Sequence, residues 1–272
     1  ILSPVLFILT IIGYYDSGSP IFKQERVGRN NKPFNLLKFR SMHLNTQSLA
    51  THLVKRSSVT KWGSLRFGNN GGAFQGCQNV TMSGITDIPN LTGITRLSNS
   101  FSFCNSISTI GRLNEWDVSE VTNMSYMFAT QGSSWTGVGV FNQNIGAWDV
   151  SNVTTFEGMF RFCALFNNGG SPDIQYWNMS SATTTGAMFS RCQGFNQPIA
   201  NWERTTPTVS TLANVTSMAN MFDSGRQAWA FNQPIGNWNV SNVTNMTAMF
   251  SRSVFAQDIN LDYQLRYYLL VP

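Results

Sequence analysis

The chain repeats itself, and that limits its fold more than any other property. Trp116-Asp-Val-Ser-Glu-Val-Thr-Asn-Met-Ser-Tyr-Met-Phe128 returns as Trp148-Asp-Val-Ser-Asn-Val-Thr-Thr-Phe-Glu-Gly-Met-Phe160 and Trp238-Asn-Val-Ser-Asn-Val-Thr-Asn-Met-Thr-Ala-Met-Phe250. Trp177 opens a fourth copy that ends on Phe189. Asn214-Val-Thr-Ser-Met-Ala-Asn-Met-Phe222 is a fifth, with Trp202 displaced upstream by an insertion over residues 205–212. Phe74 and Phe101 mark two earlier, degenerate units, and successive marker phenylalanines lie 27 to 33 residues apart. A unit of this length cannot enclose a core alone, so it buries its apolar residues by stacking on its copies.

Within a unit, Val-Thr-Asn-Met-x-x-Met-Phe sets Val, Met, Met and Phe at i, i+3, i+6 and i+7, close to one helical face, with Ser or Asn as a cap. One or two helical turns are expected there. Phe-Asn-Gln-x-Ile, at Phe141, Phe195 and Phe231 and altered at Phe255, alternates like a short strand with Phe and Ile inward. Stacked copies would form a parallel sheet, with an asparagine side-chain ladder beside it and tryptophans as a spine at the corner. The expected fold class is therefore an α/β repeat solenoid, leucine-rich-repeat-like, of about seven units over residues 62–262. Its core is read as Phe101, Phe128, Phe160, Phe189, Phe222 and Phe250 with Trp116, Trp148, Trp177 and Trp238.

Cys77, Cys104, Cys163 and Cys192 each close a Phe-x-x-Cys at the same place in their units. Zinc sites want pairs two to four residues apart, whereas these stand at least 27 apart. They read as a buried column, with disulfides between Cys77 and Cys104 or Cys163 and Cys192 as the alternative if stacking brings their Cα atoms to about 5 to 6 Å. No metal is expected. The recurrent Asn-x-Ser/Thr triplets, such as those at Asn123 and Asn242, follow from the repeat's turn chemistry.

The array resembles the BspA-like leucine-rich surface-protein repeats. Trp62-Gly-Ser-Leu-Arg-Phe-Gly-Asn-Asn-Gly-Gly-Ala-Phe-Gln-Gly-Cys77 is similar to the usual opening of such arrays. The resemblance implies display at the cell surface or outside the cell, a protein or cell-surface partner, and no chemistry.

Residues 1–61 are of another character. Residues 1–66 carry ten Lys and Arg against Asp16 and Glu25, a formal +8, whereas the remainder carries eight Arg against eleven acids, or −3. All five lysines fall within the first 61 residues. The basic cluster follows an apolar run over residues 1–15, which favours anionic lipid over nucleic acid, since about 1 kcal/mol per basic residue is available beside a membrane surface. That run is shorter than the roughly 20 residues that span a bilayer, and Ser3-Pro4 would break a helix within it. With no initiator Met and no charged leader, the start reads as the interior of a longer product rather than a signal peptide.

Asp16-Ser-Gly-Ser-Pro-Ile-Phe-Lys-Gln-Glu-Arg-Val-Gly-Arg-Asn-Asn-Lys-Pro-Phe34 and Leu37-Lys-Phe-Arg-Ser-Met42 resemble the bacterial sugar transferase family. Those monotopic enzymes move a sugar phosphate from a nucleotide sugar to polyprenyl phosphate. The resemblance implies a small, partial α/β membrane-associated head in which Ser3 and Pro4 bend a re-entrant helix. Pro20-Ile-Phe-Lys-Gln-Glu-Arg-Val27 reads as a strand entering a turn at Gly28. Arg26, Lys38 and Arg40 are candidate phosphate contacts, Arg as a fork and Lys as a point charge. Membrane lipid or polyprenyl phosphate is the partner implied.

Family catalysis resembles attack by one carboxylate of an Asp-Glu pair whose neighbour helps hold Mg²⁺. No Asp-Glu dipeptide occurs in this chain, so the head reads as non-catalytic, with no cofactor unless the complete transferase supplied a Mg²⁺ site. His43 and His52, nine apart with no acid or Cys between them, read as surface residues. The leading functional expectation is a display or adhesion module. The alternative is a phosphoglycosyl transferase whose remainder lies outside this chain, or an artefactual join near Lys61-Trp-Gly-Ser64, a stretch both families can read. Residues 263–272 leave the repeat pattern and form an unassigned tail.

Overall fold

The computed structural model describes residues 21–27, 33–39, 57–131, 139–203, 212–225 and 230–257. The chain divides into two compact units, Ile1–Thr46 and Gln47–Pro272. Ser3, Pro4, Arg40, the apolar run 1–15, both histidines and the tail 263–272 lie outside the described residues.

The first unit contains an antiparallel pair, β1 (Ile21–Val27) and β2 (Pro33–Phe39), with Ile21 opposite Phe39 and Val27 opposite Pro33. Pro33 has no N–H to give a ladder and stands at a strand end, where that loss is tolerated.

The second unit is a stack of coils joined by parallel backbone pairing. β3 (Ser57–Ser58) pairs with β4 (Val80–Thr81), and Met82 bridges Ile110. Among the described residues this pairing reaches back to Ser57, ahead of Trp62. A second ladder of single bridges links Arg96, Asn123, Thr155, Thr184, Ser217 and Asn245, each to the next. These bridges fall in the Val-Thr-Asn segment, while Phe-Asn-Gln carries no strand.

Among the described residues there is no α-helix. Where spacing suggests helical turns, the backbone makes β-turns whose third residue is left-handed. Met127 N–H bonds Met124 O at 3.2 Å across Tyr126 (φ 55°), and Met188 N–H bonds Thr185 O at 3.1 Å across Ala187 (φ 53°). A positive φ at the third residue is the mark of a type II turn. The remaining N–H groups point along the stack: Tyr126 to Glu157 O (2.8 Å), Gly158 to Gly186 O (2.8 Å), Ala187 to Ala219 O (2.7 Å) and Asn220 to Thr247 O (2.9 Å). A helix would consume those donors internally and leave nothing to hold neighbouring coils.

Asx turns set the corner before each Val. Ser119, Ser151, Ser180 and Ser241 N–H groups bond the Oδ1 of Asp117, Asp149, Asn178 and Asn239, the Asp or Asn that follows each Trp. In the Phe-Asn-Gln segment each Asn Oδ1 accepts the backbone N–H of the next coil: Asn142 from Asn167, Asn167 from Asn196, Asn196 from Asn232 and Asn232 from Ala256. The glutamines do the work of a missing strand. Gln143 gives Nε2 to Ile110 O and accepts Ile110 N–H at Oε1, as a paired peptide would.

The core is a set of aromatic columns. Phe74, Phe101, Phe128, Phe160, Phe189, Phe222 and Phe250 stack with successive centroids 5.5 to 5.9 Å apart. A second column of Phe141, Phe166, Phe195, Phe231 and Phe255 runs beside it at 5.8 to 6.0 Å. The columns touch at 3.8 Å between Phe160 and Phe166 and 3.9 Å between Phe189 and Phe195. Trp116, Trp148, Trp177, Trp202 and Trp238 are buried alongside, and Phe250 is partly buried. Among the described residues, each indole N–H from Trp148 onward donates to the coil before it: Trp148 to Leu113 O, Trp177 to Ile145 O, Trp202 to Ile174 O and Trp238 to Ile199 O.

Candidate functional site

Residues that face outward between the buried Val and Met positions repeat as faithfully as the core. Thr95, Thr122, Thr154, Thr183, Thr216 and Thr244 form an exposed column. From Thr122 on, each Oγ1 donates to the preceding threonine's backbone oxygen at 2.9 to 3.3 Å. This fixes the hydroxyls and turns their methyl groups to solvent.

Beside that column, the turns that carry the left-handed residues form a groove of about 510 Å³. Its walls come from five successive coils, including Tyr126, Glu157, Arg161, Arg191, Asn220 and Asn245. Tyr126 Oη donates to Glu157 Oε1 at 2.8 Å. Burial, and then Glu157, push that phenol above its ordinary range. Arg161 and Arg191 both lie against the Phe162 ring, with Cζ 5.2 and 4.9 Å from its centroid, a favourable cation–π arrangement. Arg191 Nε also stands 3.8 Å from Asp223 Oδ2, both side chains being largely shielded from solvent. Two arginines face Glu157 and Asp223, so the lining is formally neutral.

The floor is small and polar. Gly186 has ordinary φ, and a Cβ there would meet Ala219 O and Thr184 Oγ1 no closer than 3.5 Å. Ser190, Ser217 and Asn220 make no side-chain hydrogen bond among the described residues and present their polar atoms along the groove. The sequence reading missed this site. Most of its residues occupy the x positions of Met-x-x-Met-Phe-x-x, which vary from copy to copy, while Thr184, Ser217 and Asn245 hold the position just before the first Met of the pattern.

The cysteines form no site. All four cysteines are buried, and none is joined in a disulfide. Sγ of Cys104, Cys163 and Cys192 donates to Phe74 O (2.9 Å), Phe128 O (2.8 Å) and Cys163 O (3.0 Å). Burial pushes the Cys104 thiol up to about 12 and holds the Cys163 and Cys192 thiols well above their ordinary value, which removes thiolate chemistry near neutral pH. Among the described residues no group of three or more His, Cys, Asp and Glu is placed to hold a metal ion.

In the first unit, register puts Arg26 opposite Phe34 and Lys38 opposite Phe22. They stand four pairs apart, about 13 Å along the ladder at the usual rise of a strand. The structure therefore separates these two candidate phosphate contacts toward opposite ends of the pair.

The family described as "Mycoplasma protein of unknown function, DUF285" matches residues 69–202 and 172–266, and the bacterial sugar transferase family matches residues 1–69. A UDP-galactose-lipid carrier transferase of Erwinia amylovora is 38% identical over 61 residues, covering 22% of this chain and 13% of the relative. An uncharacterized sugar transferase of Haemophilus influenzae is 42% identical over 55 residues, covering 20% and 12%. The chain thus spans 12 to 13% of the length of these relatives. No solved structure matches.

Proposed function

Because the chain belongs to the DUF285 family, with the opening of a bacterial sugar transferase ahead of its repeats, we propose that it is a repeat-built binding module displayed at a cell surface. The array is proposed as a solenoid of the leucine-rich-repeat kind, in which short parallel pairings hold successive coils. The observation that carries the binding reading is the continuous polar face formed by the threonine column and the groove beside it. In the threonine column side-chain geometry is repeated from coil to coil and fixed by hydrogen bonds to backbone, so that part of the surface meets a partner already ordered and loses little freedom on binding. Polar residues with satisfied partners form such a face at low cost in stability.

The test is capture of the purified chain by extracellular-matrix and cell-wall preparations and by intact cells. Saturable binding is the expected result. Absence of binding to every preparation would overturn the reading.

A second reading attaches to the first unit, whose 1–69 match to sugar transferases favours sugar-phosphate transfer to a polyprenyl phosphate. A nucleophile lost from a covalent route costs several powers of ten in rate, so a chain without an Asp-Glu pair should not turn over. The assay is nucleotide release from nucleotide sugars by detergent-solubilised chain with Mg²⁺ and polyprenyl phosphate. Lipid-dependent turnover abolished by Arg40→Ala would restore the enzyme reading.

A further inference from the structure

The groove across the turns differs from the rest of the polar face in being concave and in holding both guanidinium and carboxylate groups. We propose that it is a binding site for a neutral, polyhydroxylated sugar chain lying across successive coils; this rests on the binding-module reading and names its partner class.

Four observations carry it. First, the charges compensate one another. Arg191 is matched by Asp223 at 3.8 Å, and Arg161 shares the groove with Glu157. A site for a polyanion would concentrate one sign of charge, whereas a site for hydroxyl groups needs donors and acceptors together.

Second, the polar groups without internal partners are of the kind that bond sugar hydroxyls. Ser190, Ser217 and Asn220 are uncommitted among the described residues, and Asn245 accepts Thr247 N–H at Oδ1 and keeps its amide donors for a ligand. Third, the lining offers one ring, that of Tyr126 at one end, and no other large apolar side chain. That suits the C–H faces of a sugar ring and disfavours a lipid or an apolar peptide.

Fourth, the groove runs across five successive coils, so at the spacing of parallel backbone pairs, about 4.8 Å, it offers polar groups over a length of about 19 Å, enough for several units of an extended polymer. Weak contacts that repeat along one chain add through effective concentration.

Gly186 supplies the test. Its backbone conformation admits any side chain, and its Cβ position is free of clashes and bordered by groove atoms. Gly186→Leu therefore fills the groove while leaving the backbone pairing intact. Gly84→Leu, exposed and with only Thr60 Cγ2 within 4.0 Å of the added carbon, is the matched control away from the groove. Asn220→Gly removes an amide and suits the left-handed backbone at that position (φ 56°).

The full chain and its variants would be sedimented with cellulose and chitin suspensions as neutral chains, and with heparin-coated polystyrene beads as a polyanion. We expect retention on at least one neutral chain, none on heparin above bare beads, a loss of tenfold or more with Gly186→Leu, and wild-type retention with Gly84→Leu. Asn220→Gly should weaken retention about tenfold, the size of one lost hydrogen bond, with an unchanged unfolding midpoint. Retention on heparin alone, on neither class, or on a neutral chain unaffected by both groove variants would overturn the proposal. Capture of intact cells measured in parallel separates the two levels of inference. Cell binding by the wild-type chain without retention on either neutral chain sinks the glycan site and leaves the binding module standing, whereas a wild-type chain that binds neither cells nor glycans sinks both.

Discussion

Gly158 tests whether the turn stack is held as described. It occupies the left-handed position of its turn at φ 59°, and a Cβ there would stand 2.3 Å from Cε1 and 2.5 Å from Cδ1 of Tyr126 in the preceding coil. Gly158→Ala thus faces two costs. The left-handed conformation costs an L-residue about 1 to 2 kcal/mol, offset by about 0.4 to 1 kcal/mol from a less flexible unfolded chain. Overlap with the ring adds about 1 to 3 kcal/mol, because the ring must shift. A net loss of about 2 to 3 kcal/mol is expected. The two costs can be separated, since Ala187 and Ala248 hold the same turn position at φ 53° without a ring above them. In a Tyr126→Ala background only the backbone cost remains, and Gly158→Ala should then cost less than about 1 kcal/mol. The coupling energy from the four-variant cycle should be about 1 to 3 kcal/mol. Guanidinium unfolding followed by tryptophan fluorescence is the assay. All eight tryptophans lie at position 62 or later, so the signal reports the array even in the full chain. Equal cost in both backgrounds, or a cost below about 0.5 kcal/mol in the wild-type background, would refute the reasoning.

Three further expectations follow from the same geometry. Phe189 is fully buried and stacked on Phe160, Phe195 and Phe222, so Phe189→Ala should cost about 4 kcal/mol, whereas partly buried Phe250 at the last described turn should cost about half as much; equal losses in chemical denaturation would contradict the stacked-column account. Native Cys104, Cys163 and Cys192 should resist a thiol reagent at pH 8 and react on unfolding, and because their folded pKa values are raised, stability should decline as pH climbs past the ordinary thiol value of about 8.5; rapid labelling of the native chain at these positions would oppose this. The Asp87 carboxylate accepts Trp62 and Gly63 N–H at 2.7 and 2.8 Å, and those bonds, Gly63 first, hold its pKa below the usual range. Its contribution is therefore present above about pH 3.9 and lost as pH falls through the lowered value. Protease resistance of the array's first coil should drop in that window, and an Asp87→Asn variant with the same acid profile as wild type would show that the clasp is idle.

The aromatic columns were readable because Phe and Trp recur at fixed places and few environments other than a stacked core accept so many large rings. Phe166 escaped the reading because its segment is Phe166-Asn-Asn rather than Phe-Asn-Gln. The turn geometry was hidden for a stronger reason. Val, Met, Met and Phe at i, i+3, i+6 and i+7 satisfy a helix and also a chain of four-residue turns, since both return a side chain to the core every third or fourth residue. Glycine at the third turn position would have separated the two, but it stands there in the copy with Gly158, while Tyr126, Ala187, Asn220 and Ala248 hold the place in the others. The groove was illegible because it is assembled across five copies and largely from their variable positions. Its neutrality arises between coils, where Arg191 of one meets Asp223 of the next.

The indole hydrogen bonds give the array a direction of growth. Trp148, Trp177, Trp202 and Trp238 each reach back to a carbonyl in the coil before, one after another along the stack. A coil duplicated within this series would find an acceptor beneath it and offer one above, so copy number can drift while register is kept. The beginning of the series is not interchangeable in this way. The indole nitrogens of Trp62 and Trp116 are buried without an acceptor. Whole-repeat gain and loss in such genes should therefore concentrate in the interior, and the opening coil should travel as a fixed cap.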